Sequence, residues 1–148
     1  MDATPAKPVP CDDPRFPSGP WVGFFLQRER PGKNTMELIL EFSEGQVVGE
    51  GRDCIGRFLI RGRFQVEDGR CWWTKSYLGL HDVSYTGYNE GKGIWGEWTI
   101  GSPWRGGFHI WPEAMGDPTE PKMSAAEDVP AYVDDSVDAD AEVVTVGN

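Results

Sequence analysis

The segment MELILEF, at residues 36–42, decides the fold class of this chain. Its alternate apolar residues fall on one face of an extended strand, and Glu37 and Glu41 fall on the other. The segments RFLIRGRF, at residues 57–64, and IWGEWTI, at residues 94–100, alternate in the same way. A period of two residues is typical of half-buried antiparallel strands and argues against an amphipathic helix.

Turn-forming clusters of Gly, Asp, Asn and Pro divide the surrounding sequence into eight short strands. The predicted strands cover residues 20–29, 34–43, 45–52, 55–66, 70–78, 81–89, 92–100 and 104–111. Because short loops join consecutive strands, we expect an antiparallel up-and-down meander. Such a sheet has two unpaired edges unless it closes. The sequence therefore predicts an all-β fold, a single closed eight-stranded barrel, with an open β-sandwich as the alternative.

Glycines on the predicted inward face support closure of the barrel. Gly62 follows Ile60 in phase, and Gly96 lies between Ile94 and Trp98. An inward glycine relieves crowding and lets a strand coil sharply. Large side chains occupy most other inward positions, so we expect a largely filled interior. The predicted inward set is Met36, Leu38, Leu40, Phe42, Val47, Phe58, Ile60, Phe64, Trp73, Tyr77, Val83, Tyr85, Ile94, Trp98, Ile100, Phe108 and Ile110.

Composition divides the chain into three parts. Residues 1–19 contain five prolines and no hydrophobic periodicity, which predicts a disordered leader before the barrel domain of residues 20–112. Residues 113–148 contain ten acidic residues and one basic residue, which predicts a disordered acidic tail. The remaining 14 acidic and 13 basic residues nearly balance. A near-neutral barrel is not expected to bind nucleic acid.

Several classes of protein are excluded by what the sequence lacks. No run approaches the roughly 18 apolar residues of a membrane-spanning helix, so no membrane association is expected. Three widely spaced cysteines without a CxxC pair predict free thiols rather than disulfides or a metal site. No nucleophile or metalloprotease motif is present, so we predict no catalytic residue and no cofactor. We expect a soluble, cytoplasmic monomer.

Lys75 is the main candidate for a functional residue inside the barrel. If Trp73 and Tyr77 face inward, Lys75 shares their phase. A lysine in such a place is costly unless it is paired or next to water, and it can anchor an anionic ligand. Alternatively, Lys75 extends to solvent at the barrel mouth, or the phase of the strand is reversed. The predicted ligand site at the mouth, for a small anionic or amphipathic molecule, comprises Lys75, Tyr77, Tyr85, Trp73 and Trp98.

A second candidate site lies on the outer surface. Trp72 and Trp95 face outward when Trp73 and Trp98 face inward, and Ser84 and Thr86 lie on the strand between them. Two indole rings beside a polar strip form a shallow groove for a peptide side chain or a sugar ring. This outer aromatic face predicts a protein partner, unless the leader or the tail covers the rings.

Two charged features have structural explanations. Asp53 ends the run GEGRD at residues 49–53, which we interpret as a tight turn with a bulge rather than a phosphate-binding loop. The outward arginines 57, 61 and 63 are expected to pair with carboxylates on neighbouring strands. Those carboxylates are Glu37, Glu41 and Glu50.

The first and last strands carry a family resemblance. The strand GPWVGFFLQ has an early tryptophan, Trp21, and the meander ends on the aromatic strand GGFHIWP. In these features residues 20–112 resemble the calycin group of avidin-like, lipocalin-like and fatty-acid-binding barrels. The resemblance implies a barrel, and no binding residue is carried over. The acidic tail differs from the amphipathic helix that follows the last strand of lipocalins.

The sequence thus predicts a small, non-catalytic binding module. It would use either the ligand site at the barrel mouth or the outer aromatic face. One alternative is an enzyme that uses the barrel cavity, with Lys75, Tyr77 and Tyr85 as acid and base groups. The other alternative is a purely structural domain.

Overall fold

A computed structural model describes residues 9–101 and 103–120 of the chain, and within them the fold is a closed antiparallel barrel. Each strand pairs with the next in sequence, and the first pairs with the last. This confirms the predicted eight-stranded up-and-down barrel and excludes the open sandwich. The strands are β1 (Gly19–Gln27), β2 (Arg30–Ser43), β3 (Gln46–Asp53), β4 (Arg57–Phe64), β5 (Arg70–Tyr77), β6 (Asp82–Asn89), β7 (Ile94–Ile100) and β8 (Trp104–Pro112).

The core lies inside the barrel and follows the predicted alternation. Of the predicted inward side chains, all except Ile100 are between 0% and 6% exposed, and Ile100 is partly buried against the cluster. Burial of so many large side chains is the main stabilising contribution in a fold of this kind. The barrel is therefore lined by large side chains that are almost inaccessible to solvent.

Residues 9–18 close one end of the barrel. Phe16 is fully buried and packs against Phe42 and Phe64, with ring centroids 5.4 and 4.8 Å away. The Arg15 guanidinium donates hydrogen bonds to the carbonyl oxygens of Val66 and Asn89. Over these residues the structure differs from the predicted disordered leader, because two side chains anchor the segment despite its proline-rich composition. Residues 1–8 lie outside the described residues.

The chain leaves β8 through a short 3-10 helix, Glu113–Met115. Beyond it, the Lys33 amine donates a hydrogen bond of 3.4 Å to the Thr119 hydroxyl, which holds this part of the chain beside β2. The rest of the predicted tail, residues 121–148, lies outside the described residues. In the described part of the chain, no helix has the length and apolar character needed to cross a bilayer.

Candidate functional site

Lys75 lies inside the barrel, away from the end that Phe16 closes, and its side chain is only 1% exposed. Its ammonium nitrogen lies 2.5 Å from Oδ2 of Asp53 and donates a second hydrogen bond, of 3.2 Å, to the Tyr85 hydroxyl. Four aromatic rings also surround this nitrogen at 4.3–5.3 Å from their centroids. These rings belong to Phe25, Phe58, Tyr77 and Tyr85. The ammonium therefore occupies an aromatic cage with a carboxylate, the arrangement that stabilises a desolvated cation.

Asp53 is the counter-ion that the sequence interpretation missed. Its Oδ1 accepts a hydrogen bond of 2.8 Å from the backbone N–H of Ile55, so Asp53 does form the predicted turn. Its Oδ2 points into the barrel and also accepts a hydrogen bond of 2.7 Å from the Tyr77 hydroxyl. The phase of Gly49 and Gly51, which puts Asp53 on the inward face, was the signal that could have identified it.

The electrostatics of this cluster follow from burial and from the carboxylate. Burial lowers the pKa of Lys75, and the adjacent Asp53 carboxylate opposes that change. Burial raises the pKa of Tyr77, and its hydrogen bond to Asp53 raises it further. Burial and the Asp53 charge also raise the pKa of Tyr85. At neutral pH both phenols are therefore protonated, and Tyr77 donates its hydrogen bond to Asp53 while Tyr85 accepts one from Lys75.

The raised pKa values of the two phenols give a direct prediction. In an alkaline titration followed by tyrosinate absorbance, we expect two fewer tyrosines to ionise near pH 10 in the native protein than in the denatured protein. Tyr88 is exposed and lies outside this cluster, so it serves as the control position. Because the unfolded chain loses the protons of Tyr77 and Tyr85 at a lower pH, the free energy of unfolding should fall as the pH rises above about 10.

Tyr77→Phe and Tyr85→Phe should each lower by one the number of tyrosines that ionise near pH 10 in the denatured protein but not in the native protein. Tyr88→Phe is the matched control and should leave that number unchanged. A native titration with all tyrosines ionising near pH 10 would contradict the enclosed arrangement.

The two predicted tryptophans of the mouth site also face the interior. Trp73 stacks on Tyr85, with centroids 5.5 Å apart and an interplanar angle of 11°. Trp98 donates a hydrogen bond of 2.9 Å to the carbonyl oxygen of Leu26. The Trp73 indole nitrogen is buried without a hydrogen-bond partner among the described residues. The structure thus brings Lys75, Tyr77, Tyr85 and Trp73 into one packed group, with Trp98 opposite Tyr85 on the next strand.

The outer aromatic face is larger than the sequence predicted. Trp72 lies opposite Thr86, and Trp95 lies opposite Tyr88, which the sequence interpretation overlooked although it shares the outward phase of Ser84 and Thr86. Tyr88 is 42% exposed and Trp95 is 46% exposed. Tyr88 lies directly opposite Arg70 on β5, so Trp72 is its diagonal neighbour, while Trp95 is its direct neighbour on β7.

Charged groups border this surface. The Arg70 guanidinium lies 4.8 Å from the ring centroid of the half-buried Trp72, and Arg63 lies opposite Trp72 on β4. On the other side of the surface, Glu97 of β7 lies opposite Thr86 of β6 and opposite Gly107 of β8. In the described residues, neither the leader nor the beginning of the tail buries Tyr88 or Trp95.

The expected pairing is wrong for Arg57, Arg61 and Arg63, although one cross-strand pair of the expected kind does form. Of the arginines and glutamates on β2, β3 and β4, only Arg52 and Glu37 approach each other, at 3.6 Å. Within the described residues, no carboxylate lies at ion-pair distance from Arg57, Arg61 or Arg63. Strand register explains the failure, because Arg57 lies opposite Arg52 and Arg61 lies opposite Val48.

No family model matches this chain, and the searches of curated proteins and of solved structures found no match. The residues described by the structure also contain no group of three His, Cys, Asp or Glu side chains arranged for a metal ion.

Proposed function

We propose that this barrel is a non-catalytic recognition module that binds a peptide segment across the outer face of β5, β6 and β7. The observation that carries the proposal is the pair of exposed rings Tyr88 and Trp95, which lie directly opposite each other on β6 and β7, with Trp72 diagonal to Tyr88 on β5. Tyr and Trp supply large contact areas at a low cost in side-chain entropy, and they dominate the binding energy of protein interfaces. Without a partner to cover them, two neighbouring rings that are both more than 40% exposed leave apolar surface in unfavourable contact with water.

The groups around the rings indicate the chemistry of the partner. The exposed rings of Tyr88 and Trp95 fit a proline or another apolar side chain. Arg63 and Arg70 border the surface beside Trp72 and fit a carboxylate, which arginine binds through paired hydrogen bonds. The hydroxyl groups of Ser84 and Thr86 face the same side and can bond to a peptide backbone. An acidic peptide with an apolar or proline anchor satisfies all three features.

The interior supports this choice over the two alternatives that use the cavity. Asp53 already neutralises the Lys75 ammonium, so an anionic ligand would have to displace a buried ion pair. An enzyme using Lys75, Tyr77 and Tyr85 would need substrate to reach atoms that the packed core encloses. A purely structural domain would not need a surface of this kind, since exposed aromatic patches are usually functional.

The cysteines indicate the compartment of the protein. All three cysteines are free thiols, which supports a reducing compartment such as the cytoplasm. We also propose that the protein is a calycin-like monomer that uses its outer surface rather than its interior.

The test is selection from a displayed library of peptides on the full-length protein, followed by calorimetry with the enriched peptides. We expect enriched peptides to be acidic and to carry a proline or an apolar anchor. Tyr88→Ala and Trp95→Ala should each weaken binding at least about tenfold, which corresponds to about 1.4 kcal/mol. Val48→Ala is the matched control, because Val48 is an exposed apolar residue on β3, outside this surface.

Three outcomes would overturn the proposal. One is affinity that is equal for the wild type, Tyr88→Ala and Trp95→Ala. A second is selection of basic peptides. A third is that neutral glycans bind in an array while the peptide library yields nothing, which would identify a sugar-binding face. Thermal melting of each variant separates lost binding from lost folding, because both rings are exposed and their removal should barely change the midpoint.

A further inference from the structure

Four turns form the end of the barrel that lies opposite Phe16, which we call the distal end. They join β1 to β2, β3 to β4, β5 to β6 and β7 to β8, because consecutive strands are antiparallel and every second turn falls at the same end. Two of these turns carry strongly exposed apolar side chains. Leu78 and Leu80, after β5, are 54% and 62% exposed, and Trp104, at the start of β8, is 55% exposed.

These apolar side chains lie on neighbouring turns. The turn with Leu80 leads into β6, and the turn before Trp104 leaves β7, which pairs with β6 at a strand spacing of about 4.8 Å. A protein partner needs a surface of complementary shape, whereas the headgroup region of a bilayer accepts separate apolar tips. Tryptophan is enriched at that depth, because its ring is apolar and its indole N–H is polar. Apolar tips on two adjacent turns therefore fit a lipid surface better than a protein.

Arginines surround these apolar tips. We count the four turns and the two strand residues on each side of them. Among the described residues, the exposed charges there are those of five arginines and two carboxylates, a net charge of +3. The arginines are 28, 30, 52, 57 and 105, and the carboxylates are Glu29 and Asp82. Inside the barrel, Lys75 and Asp53 neutralise each other. The distal end is therefore basic as well as apolar.

The opposite end of the barrel has the opposite charge. Counted in the same way and with residues 9–18 included, its described residues carry six carboxylates and four bases, a net charge of −2. The carboxylates are Asp12, Asp13, Glu44, Glu67, Asp68 and Glu90, and the bases are Arg15, Arg63, Arg70 and Lys92. An anionic surface attracts the distal end and repels the other one, so it orients the barrel end-on. Tyr88 and Trp95 lie near the repelled end and remain accessible.

We propose that the distal end docks on an anionic membrane surface. Leu78, Leu80 and Trp104 enter the headgroup region, and the surrounding arginines bind the anionic lipid headgroups. The expectation of no membrane association rested on the lack of a spanning segment, and contact at the surface needs none. The free thiols agree with this location, because the cytoplasmic leaflet is the one that carries anionic lipids.

The test is co-sedimentation of the full-length protein with vesicles of phosphatidylcholine and phosphatidylserine in equal parts. Vesicles of phosphatidylcholine alone are the comparison. We expect at least about tenfold stronger binding to the anionic vesicles, and weaker binding to them in high salt. Trp104→Ala should weaken binding about tenfold, because its ring leaves the interface, and Leu80→Ala should act in the same direction. Arg30→Gln should weaken binding about fivefold.

The matched controls are Trp95→Ala and Arg61→Gln, which remove exposed residues of the same types away from the distal end. Both should leave vesicle binding unchanged. Peptide binding separates the two sites, because Trp104→Ala should keep it and Trp95→Ala should lose it.

Three outcomes would overturn membrane docking. One is that the wild type does not sediment with the anionic vesicles, which would leave the distal end to an acidic protein. The second is equal binding to both kinds of vesicle. The third is an equal loss of vesicle binding in Trp104→Ala and Trp95→Ala. All substituted side chains are exposed, and unchanged thermal midpoints verify that each variant is folded.

Discussion

Asp53→Asn is expected to lower the free energy of unfolding by about 3–5 kcal/mol, because it leaves the Lys75 ammonium buried without a counter-ion. Both side chains are almost inaccessible to solvent, at 1% for Lys75 and 0% for Asp53. Asparagine keeps the shape of the side chain and can still accept the hydrogen bond from Ile55. The loss therefore reports the missing charge rather than a broken turn.

The pKa of Lys75 determines how the free energy of unfolding of Asp53→Asn changes with pH. Burial already lowers the pKa of Lys75 in the folded protein, and removing Asp53 should lower it further. Between that lowered value and the unfolded pKa near 10.5, the unfolded chain binds more protons than the folded one. The free energy of unfolding of Asp53→Asn should therefore rise relative to that of the wild type as the pH increases towards the unfolded pKa.

Urea denaturation at neutral and mildly alkaline pH measures both effects. Glu37→Gln is the matched control, because Glu37 and Arg52 form an exposed pair that should contribute at most about 1 kcal/mol. In the double variant Asp53→Asn/Lys75→Met, the loss of stability should be smaller than the sum of the two single losses, because no buried charge is left without a counter-ion. A loss for Asp53→Asn as small as that of the control would show that solvent reaches the pair.

The fold was predictable because its signal is local. Alternation in residues 36–42 fixes which side chains face inward, and the turn residues fix where each strand ends. A closed barrel follows from the edges that an open meander would expose. Packing inside the barrel then confirms the phase at nearly every position, since one slip in phase would expose a whole strand's apolar face.

The site was only partly predictable because its contacts cross the barrel. Phase puts Lys75 inside, but it does not reveal which of the inward residues on other strands lies across from it. Asp53 is 22 residues away and carries a plausible turn role, so the pair became visible only in three dimensions. The leader shows the same limit, because two side chains, Arg15 and Phe16, anchor a segment whose composition indicates disorder.

The outward charges show why pattern alone overestimates pairing. Each arginine on β4 has a glutamate one or two strands away, and composition therefore suggests a neutralised surface. Register decides otherwise, because opposite positions join arginine to arginine or to valine.

Gly96→Val is expected to have the other large effect, because a side chain at this position has no space. A Cβ at Gly96 would overlap the carbonyl oxygen of Thr86 and lie 2.5 Å from the Cα of Gly87. Both neighbours are main-chain atoms of β6, and they cannot move aside without breaking the pairing of β6 with β7. Ordinary overpacking of side chains costs about 1–3 kcal/mol, and a clash with the backbone should cost more.

Loss of more than about 3 kcal/mol would remove a large share of the stability of a domain that is stable by about 5–15 kcal/mol. We therefore expect Gly96→Val to unfold at a markedly lower urea concentration or to fail to fold, and Gly96→Ala to show a smaller loss of the same origin. Gly107→Ala is the matched control: its Cβ would face outward on β8, with the nearest atom 3.7 Å away, and should change stability by less than about 1 kcal/mol. If Gly96→Ala and Gly107→Ala were equally stable, β6 and β7 would not approach as closely as a closed, tightly coiled barrel requires, and closure itself would be in error.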